Sequence, residues 1–349
     1  MGGRERLRLG PRPAVDRASH ARRSCLATHA LLGARAIYEH IPGAPRAHGS
    51  TICELSSGRL MAAWYAGSAE GDPDVAIYGA YCRPGRDWGP PFVLEKTPGC
   101  SEGNPVLHPR PHGGVTLCWV TMYERGWSGC RIRVRDAESR GGERLWGADR
   151  VFSDELGLMT RNKPIVMSNG ELLLPLYDER AWRSFFAWSA DGGRTWECGA
   201  LLPSEPGNIQ PTVVEAAPGR LLALFRTGAR QDGTLWRSAS DDYGRTWSPL
   251  EATDIPNPNS GADMVRLSSG TVLLVYNDAP RGRTPLTVAV STDECRSFAS
   301  KRNLEDAAGE YSYPAAIQGR DGAVHVTYTY RRETIKHVTV REDWVRGVS

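Results

Sequence analysis

Side chains that bind polar groups or move protons recur along this 349-residue chain at a spacing of roughly fifty residues. One set comprises His48, Asn104, Asn162 with Lys163, Gln210, Asn259, and Tyr311 with Tyr313. A second set trails the first: Glu70 and Asp74, residues 178–180, Arg226, Asn277 with Arg283, and Arg331. Amides, guanidiniums and hydroxyls of this kind fix a polar ligand in place, and the carboxyl, imidazole and phenol groups can also exchange protons. Groups so far apart in sequence act together only if the fold carries each segment to one place.

Two repeats say what that fold is. Tight turns at Gly58, Gly114, Gly170, Gly219, Gly270 and Gly322 join short apolar strands, and each is followed by a run such as Leu60 to Trp64, Leu221 to Phe225 or Val324 to Tyr328. Such hairpins, rich in β-branched and aromatic residues and without a long helical period, predict an all-β, six-bladed β-propeller of four-stranded blades over residues 37–349. The second repeat is the octapeptide S-x-D-x-G-x-T-W at Ser189 to Trp196 and at Ser240 to Trp247, with a worn copy at Ser291 to Phe298. Trp146 and Trp88 continue the series backwards. In these segments Asp191, Asp242 and Asp293 can accept backbone N–H bonds within a turn while the aromatic residue anchors it, which is a structural role.

Propeller topology then assembles the site. The first strand of each blade lines the central channel and its hairpin Gly lies at the far rim, so the residues just before the six first strands crowd one face. The second strand returns to that face and brings the second set. A polar residue ahead of a strand is by default a turn former, and any one Arg in so Arg-rich a chain is by default solvated. Convergence of all of them on one mouth gives them a joint functional meaning. Tyr311 and Tyr313 share a strand face by simple alternation.

Composition narrows the partners. The formal net charge is +3 with acidic and basic residues interspersed, which excludes nucleic acid as the natural ligand. The 8 Cys include no CxxC pair and no zinc spacing, so buried free thiols are expected. No apolar run is long enough to span a bilayer. Residues 1–36 are Arg-rich and acid-poor and read as a disordered extension outside the domain; Arg22-Arg23 ahead of Cys25 to Ala34 resembles a twin-arginine export signal, with a soluble cytoplasmic protein the expectation otherwise. No metal or cofactor is implied, and nothing fixes the oligomeric state.

The octapeptide resembles the Asp box of the sialidase superfamily, and the likeness extends over nearly the whole ring, closest to bacterial BNR-repeat proteins. Gln210-Pro211-Thr212, Asn257 to Gly261 and Glu310 to Pro314 are similar to that subgroup. The resemblance implies a carbohydrate substrate: three Arg hold a sugar carboxylate, an acidic residue protonates the leaving oxygen, and a Tyr assisted by a Glu attacks. By the same resemblance Tyr311 matches the nucleophile, Arg226 and Arg283 the second and third Arg, and Glu70 stands at the acid/base position. His48 stands where the first Arg is expected and Gln210 where the assisting Glu is expected. A retaining exo-glycosidase on a terminal sialic or related acidic sugar follows. A lyase acting on uronic acids through Tyr and His, and a non-catalytic carbohydrate-binding propeller, remain open.

Overall fold

The computed structural model describes residues 32–83, 85–110, 113–140, 143–205, 207–228 and 233–347. They build six antiparallel sheets arranged as a propeller. Four strands, Arg46–Glu54, Leu60–Gly67, Ala76–Cys82 and Phe92–Glu95, make blade one, and Ser101–Pro109, Val115–Met122, Cys130–Arg140 and Glu143–Val151 make blade two. Blade three has a broken inner strand, Leu158–Thr160 and Ile165–Val166, both paired with Leu172–Asp178. Blades four and five begin at Asn208–Ala217 and Asp263–Arg266.

Blade six consists of Tyr311–Gln318, Val324–Tyr330 and Thr334–Val340, with Gly33–Ala36 as its outer strand. The domain boundary expected at residue 37 is therefore corrected: Gly33 to Ala36 pair with Thr339 to Lys336 and close the ring from both ends of the chain. The Arg-rich residues 1–31 lie outside the described residues.

Burial follows strand rank. A second strand is covered on both faces by its neighbouring blades, so Leu60–Gly67 is buried throughout and reads as a continuous apolar run. The outermost Ser300–Glu305 is largely exposed and reads as polar. The hairpins require left-handed backbone at Gly58, Gly170, Gly219, Gly270 and Gly322, with φ between 75° and 89°. In blade two it is Gly113, at φ 95°, and not Gly114, that takes this conformation. Cys82, Cys100, Cys118, Cys130, Cys198 and Cys295 are free thiols, and four of these six are buried, as is Cys53. Among the described residues no helix is long and apolar enough to cross a membrane.

The Asp-box turns sit beside those hairpins, on the rim away from the start of the inner strands: the Tyr243 N–H donates to the Gly219 carbonyl at 3.0 Å. Asp191 accepts from the backbone N–H groups of Arg194 and Thr195 and from the hydroxyls of Ser189 and Thr195. Trp247 stacks on Phe186 of the preceding blade with ring centroids 4.2 Å apart. Burial would raise the Asp293 carboxyl, but hydrogen bonds from Ser291 and Ser297 outweigh it and hold it down at about 2. A carboxylate whose folded value is depressed stabilises above its unfolded value, here 3.8, and loses that contribution as pH falls toward 2. Asp191→Ala and Asp242→Ala should each lower the thermal midpoint by a few degrees at neutral pH, with the deficit shrinking in acid. Equal midpoints for variant and parent at pH 7 would contradict this role.

Candidate active site

The inner strands of five blades are interrupted where they enter the channel, and blade five's Asp263–Arg266 pairs without a break. Register shifts fall at His48/Thr51, Gly103/Val106, Ile209/Thr212 and Ser312/Ala315. At these bulges Gly49, Asn104, Gln210 and Tyr313 are left-handed, with φ of 60°, 44°, 52° and 53°, and Asn259 ahead of blade five's inner strand has φ 58°. A bulge with one left-handed residue re-aims the strand, and at Asn104, Gln210 and Tyr313 it turns the side chain into the site. Blade three breaks its strand instead and contributes Arg161 to Lys163.

Tyr313 occupies the centre. It is buried, and Nη1 of Arg226 donates to its hydroxyl at 2.8 Å and to Oε1 of Gln210 at 2.9 Å. The Arg226 Nε donates to Asn259 Oδ1. The guanidiniums of Arg161 and Arg283 lie 4.9 and 5.3 Å from the centroid of the Tyr313 ring. Burial alone would raise the Tyr313 phenol; Arg226 and Arg283 outweigh it, and the phenol is held below the usual tyrosine value.

His48 packs edge-on against Tyr313, centroids 4.3 Å apart, and against Tyr65 at 5.7 Å. It is 3% exposed and neither ring nitrogen has a hydrogen-bond partner. Burial, followed by the charges of Arg332 and Arg283, drives its value well below normal, so His48 is a neutral imidazole and not a substitute cation. Glu70 accepts from the Tyr65 hydroxyl at 3.0 Å and pairs with Arg332. Arg332 also pairs with Glu310 at 2.8 Å, and Glu310 with Arg283 at 2.7 Å. Behind Glu70 a cavity of about 210 Å³ is lined by His48, Tyr65, Gly67, Glu70, Val75 and Arg332 among others.

Several expected positions lie elsewhere. Tyr311 is fully buried in the core shared by blades five and six, beside Tyr330 at 5.2 Å, because the bulge after Ser312 ends the alternation that placed it with Tyr313. Arg331 is exposed and lies over the Tyr330 ring, while its neighbour Arg332 reaches the site; both are left-handed, at φ 54° and 57°. Asp74 accepts from the Ser68 N–H and hydroxyl and so shapes the loop that carries Glu70. The Asn162 amide donates to the carbonyls of Gln210, Pro211 and Ala262, tying blades three, four and five across the axis. Lys163 is paired with the buried Asp263 at 2.6 Å. These two fasten blade three to blades four and five. Asn104 stays at the site, its amide 3.5 Å from the Tyr177 hydroxyl.

Arg161, Arg332, Glu310 and Tyr65 were not expected as site residues. One signal was available for the central position: in Asn104-Pro105, Gln210-Pro211 and Tyr313-Pro314 the residue before Pro is the left-handed, axis-facing one. That alignment selects Tyr313 over Tyr311.

An all-β propeller whose strands and connecting loops bring guanidiniums, a phenol and two carboxylates to one mouth has the frame of the sialidase propellers. The chain belongs to the BNR repeat-like domain family, which matches residues 58–326. A sialidase of Micromonospora viridifaciens is 24% identical over 281 residues, covering 76% of this chain and 38% of the relative. The chain thus spans less than half the length of that curated relative. Among solved structures, a Hadza microbial sialidase superposes with TM-score 0.76 at 16% identity, over 89% of this chain and 68% of that one. A Dyadobacter fermentans protein of unknown function gives 0.75 at 18% identity, over 89% and 98%. The intramolecular trans-sialidase of Ruminococcus gnavus, in complex with oseltamivir carboxylate, gives 0.70 at 15%, over 86% and 95%. At these identities the structural likeness establishes the fold.

Proposed function

We propose that this propeller is a retaining exo-glycoside hydrolase that removes a terminal acidic sugar, of the sialic type or related to it. The observation that carries the reading is the environment of Tyr313: a buried phenol with Arg226 on its oxygen and two further guanidiniums over its ring. A phenol has no fixed charge to repel a sugar carboxylate held by Arg226 and Arg283, yet it becomes a competent nucleophile when its anion is stabilised.

In the first step Tyr313 attacks as its phenolate, its proton released to solvent beforehand: its oxygen bonds to the anomeric carbon as the glycosidic C–O bond breaks, and the leaving oxygen takes a proton from the Glu70 carboxyl. In the second step Glu70 takes a proton from water, whose oxygen attacks the anomeric carbon and releases Tyr313. Glu70 is oriented for this by Tyr65 and Arg332. Neutral Gln210 stands beside the phenol and takes no proton.

The neutral, unpartnered His48 against Tyr313 favours a second reading, β-elimination on a uronic acid, in which phenol and imidazole handle the proton α to the carboxylate. Product analysis separates the two. Aryl glycosides of sialic and uronic acids and uronate polymers are incubated with the protein and followed by NMR. A free sugar appearing first with the substrate's anomeric configuration supports the hydrolase. An unsaturated uronate overturns it for the lyase, and saturable binding with no product overturns both.

A further inference from the structure

Arg161 is among the largest fully buried side chains of the protein, 2% exposed. Its hydrogen bonds run to two backbone carbonyls from blades one and six, Nη1 to Ser50 at 3.3 Å and Nη2 to Pro314 at 3.1 Å, while Nε has no partner. Among the described residues it forms no ion pair. Burying an unpaired guanidinium costs several kcal/mol, so such a charge is retained where an anion meets it. The neighbouring carboxylate, Asp263, is already engaged by Lys163, the Thr212 hydroxyl and the Ala316 N–H. The other group in reach is the Tyr313 ring, 4.9 Å away.

We propose that Arg161 is a positioning residue whose buried charge holds Tyr313 as its anion, taking the part that a carboxylate base would play at position 210. The proposal rests on the reading of Tyr313 as the reactive group. Burial lowers the Arg161 value, and Tyr313 is the foremost of the influences opposing that loss. By linkage, whatever the phenolate does to keep Arg161 charged, Arg161 does to keep the phenol ionised.

Every charged or titratable group facing the phenol bears on its ionisation. Arg226 and Arg283 approach from blades four and five and favour the anion. Glu70 from blade one opposes it, and is itself paired with Arg332 of blade six. Glu310 of blade six acts through its pairs with Arg283 and Arg332. His48 is neutral, and Tyr65 and Tyr177 are held protonated, both by burial first. Arg161 thus adds a charge on the ring side of the phenol, away from the Arg226 contact on its oxygen.

The test is an ultraviolet titration of tyrosinate, read as wild type minus Tyr313→Phe, which isolates one phenol without any substrate. The expected difference curve has its midpoint below the usual tyrosine value of about 10. In an Arg161→Gln background the same difference should move up by about one unit or more, and Arg161→Lys should restore part of the shift. Identical midpoints in wild type and folded Arg161→Gln overturn the proposal. If Arg161→Gln does not fold, the wild-type curve decides by itself, since a Tyr313 midpoint at or above 10 also overturns it. A low midpoint without turnover of any acidic-sugar glycoside defeats the hydrolase reading and leaves the role of Arg161 standing.

Discussion

Tyr313→Phe should reduce turnover of the best acidic-sugar substrate by about 10³-fold or more while leaving its dissociation constant within a few fold. The substitution deletes one oxygen and keeps the ring that His48 and Arg161 pack against, so the pocket retains its shape. Tyr311→Phe is the matching control. Its ring lies in the blade five and six core, and its loss of a hydroxyl should alter the thermal midpoint with kcat and KM preserved. Steady-state kinetics with isothermal titration of a non-hydrolysable analogue makes the comparison. Full activity in Tyr313→Phe, or abolished activity in a stably folded Tyr311→Phe, reverses the assignment.

Glu70→Gln should slow substrates with poor leaving groups by roughly 10²- to 10⁴-fold, the range in which general acid catalysis contributes. An activated aryl glycoside needs little protonation at departure, so its bond-breaking step should be far less affected. Pre-steady-state kinetics then gives a steep dependence of rate on leaving-group basicity in the variant and a shallow one in the parent. The amide still accepts from the Tyr65 hydroxyl but no longer pairs ionically with Arg332, so Arg332→Gln serves as the comparison: it disturbs orientation and should raise KM without steepening that dependence. Parallel slopes in parent and Glu70→Gln would remove Glu70 from the acid step.

The frame of the protein was legible because its signals are periodic. Hairpin glycines recur in every blade and Asp-box turns in three of the six, and each copy strengthens the others. The face that holds the site was legible for the same reason, since strand direction alone carries His48, Asn104, Gln210 and Arg226 to one mouth. The choice between adjacent residues was harder to read. Alternation assigned Tyr311 and Tyr313 to one face, but the left-handed Tyr313 inserts a bulge that period-two reasoning does not contain. Arg331 and Arg332 differ in the same way, both lying in a left-handed turn. Arg161 was hidden by composition, for in a chain this rich in arginine one more beside Asn162 and Lys163 carries no mark until its burial is seen. Asn162 and Lys163 were read as ligand groups because an amide and an amine suit either role; only their partners, three carbonyls and Asp263, reveal that they fasten blades together.

The interrupted inner strands bear on how such a propeller diversifies. Left-handed backbone suits Gly and Asn and costs other residues about 1–2 kcal/mol. Blades one, two and five fill that place with Gly49, Asn104 and Asn259, whereas blades four and six put Gln210 and Tyr313 there. The strained occupants, Gln210 and Tyr313, both accept a hydrogen bond from Nη1 of Arg226 at the centre, where backbone strain tends to gather around chemistry. Because each of these places belongs to a different blade, an exchange at one of them alters what the mouth offers a ligand without disturbing the other four. Descent with changes confined to these places would yield proteins of one architecture and different sugar preference, their kinship visible in the hairpins and their divergence concentrated in a handful of letters.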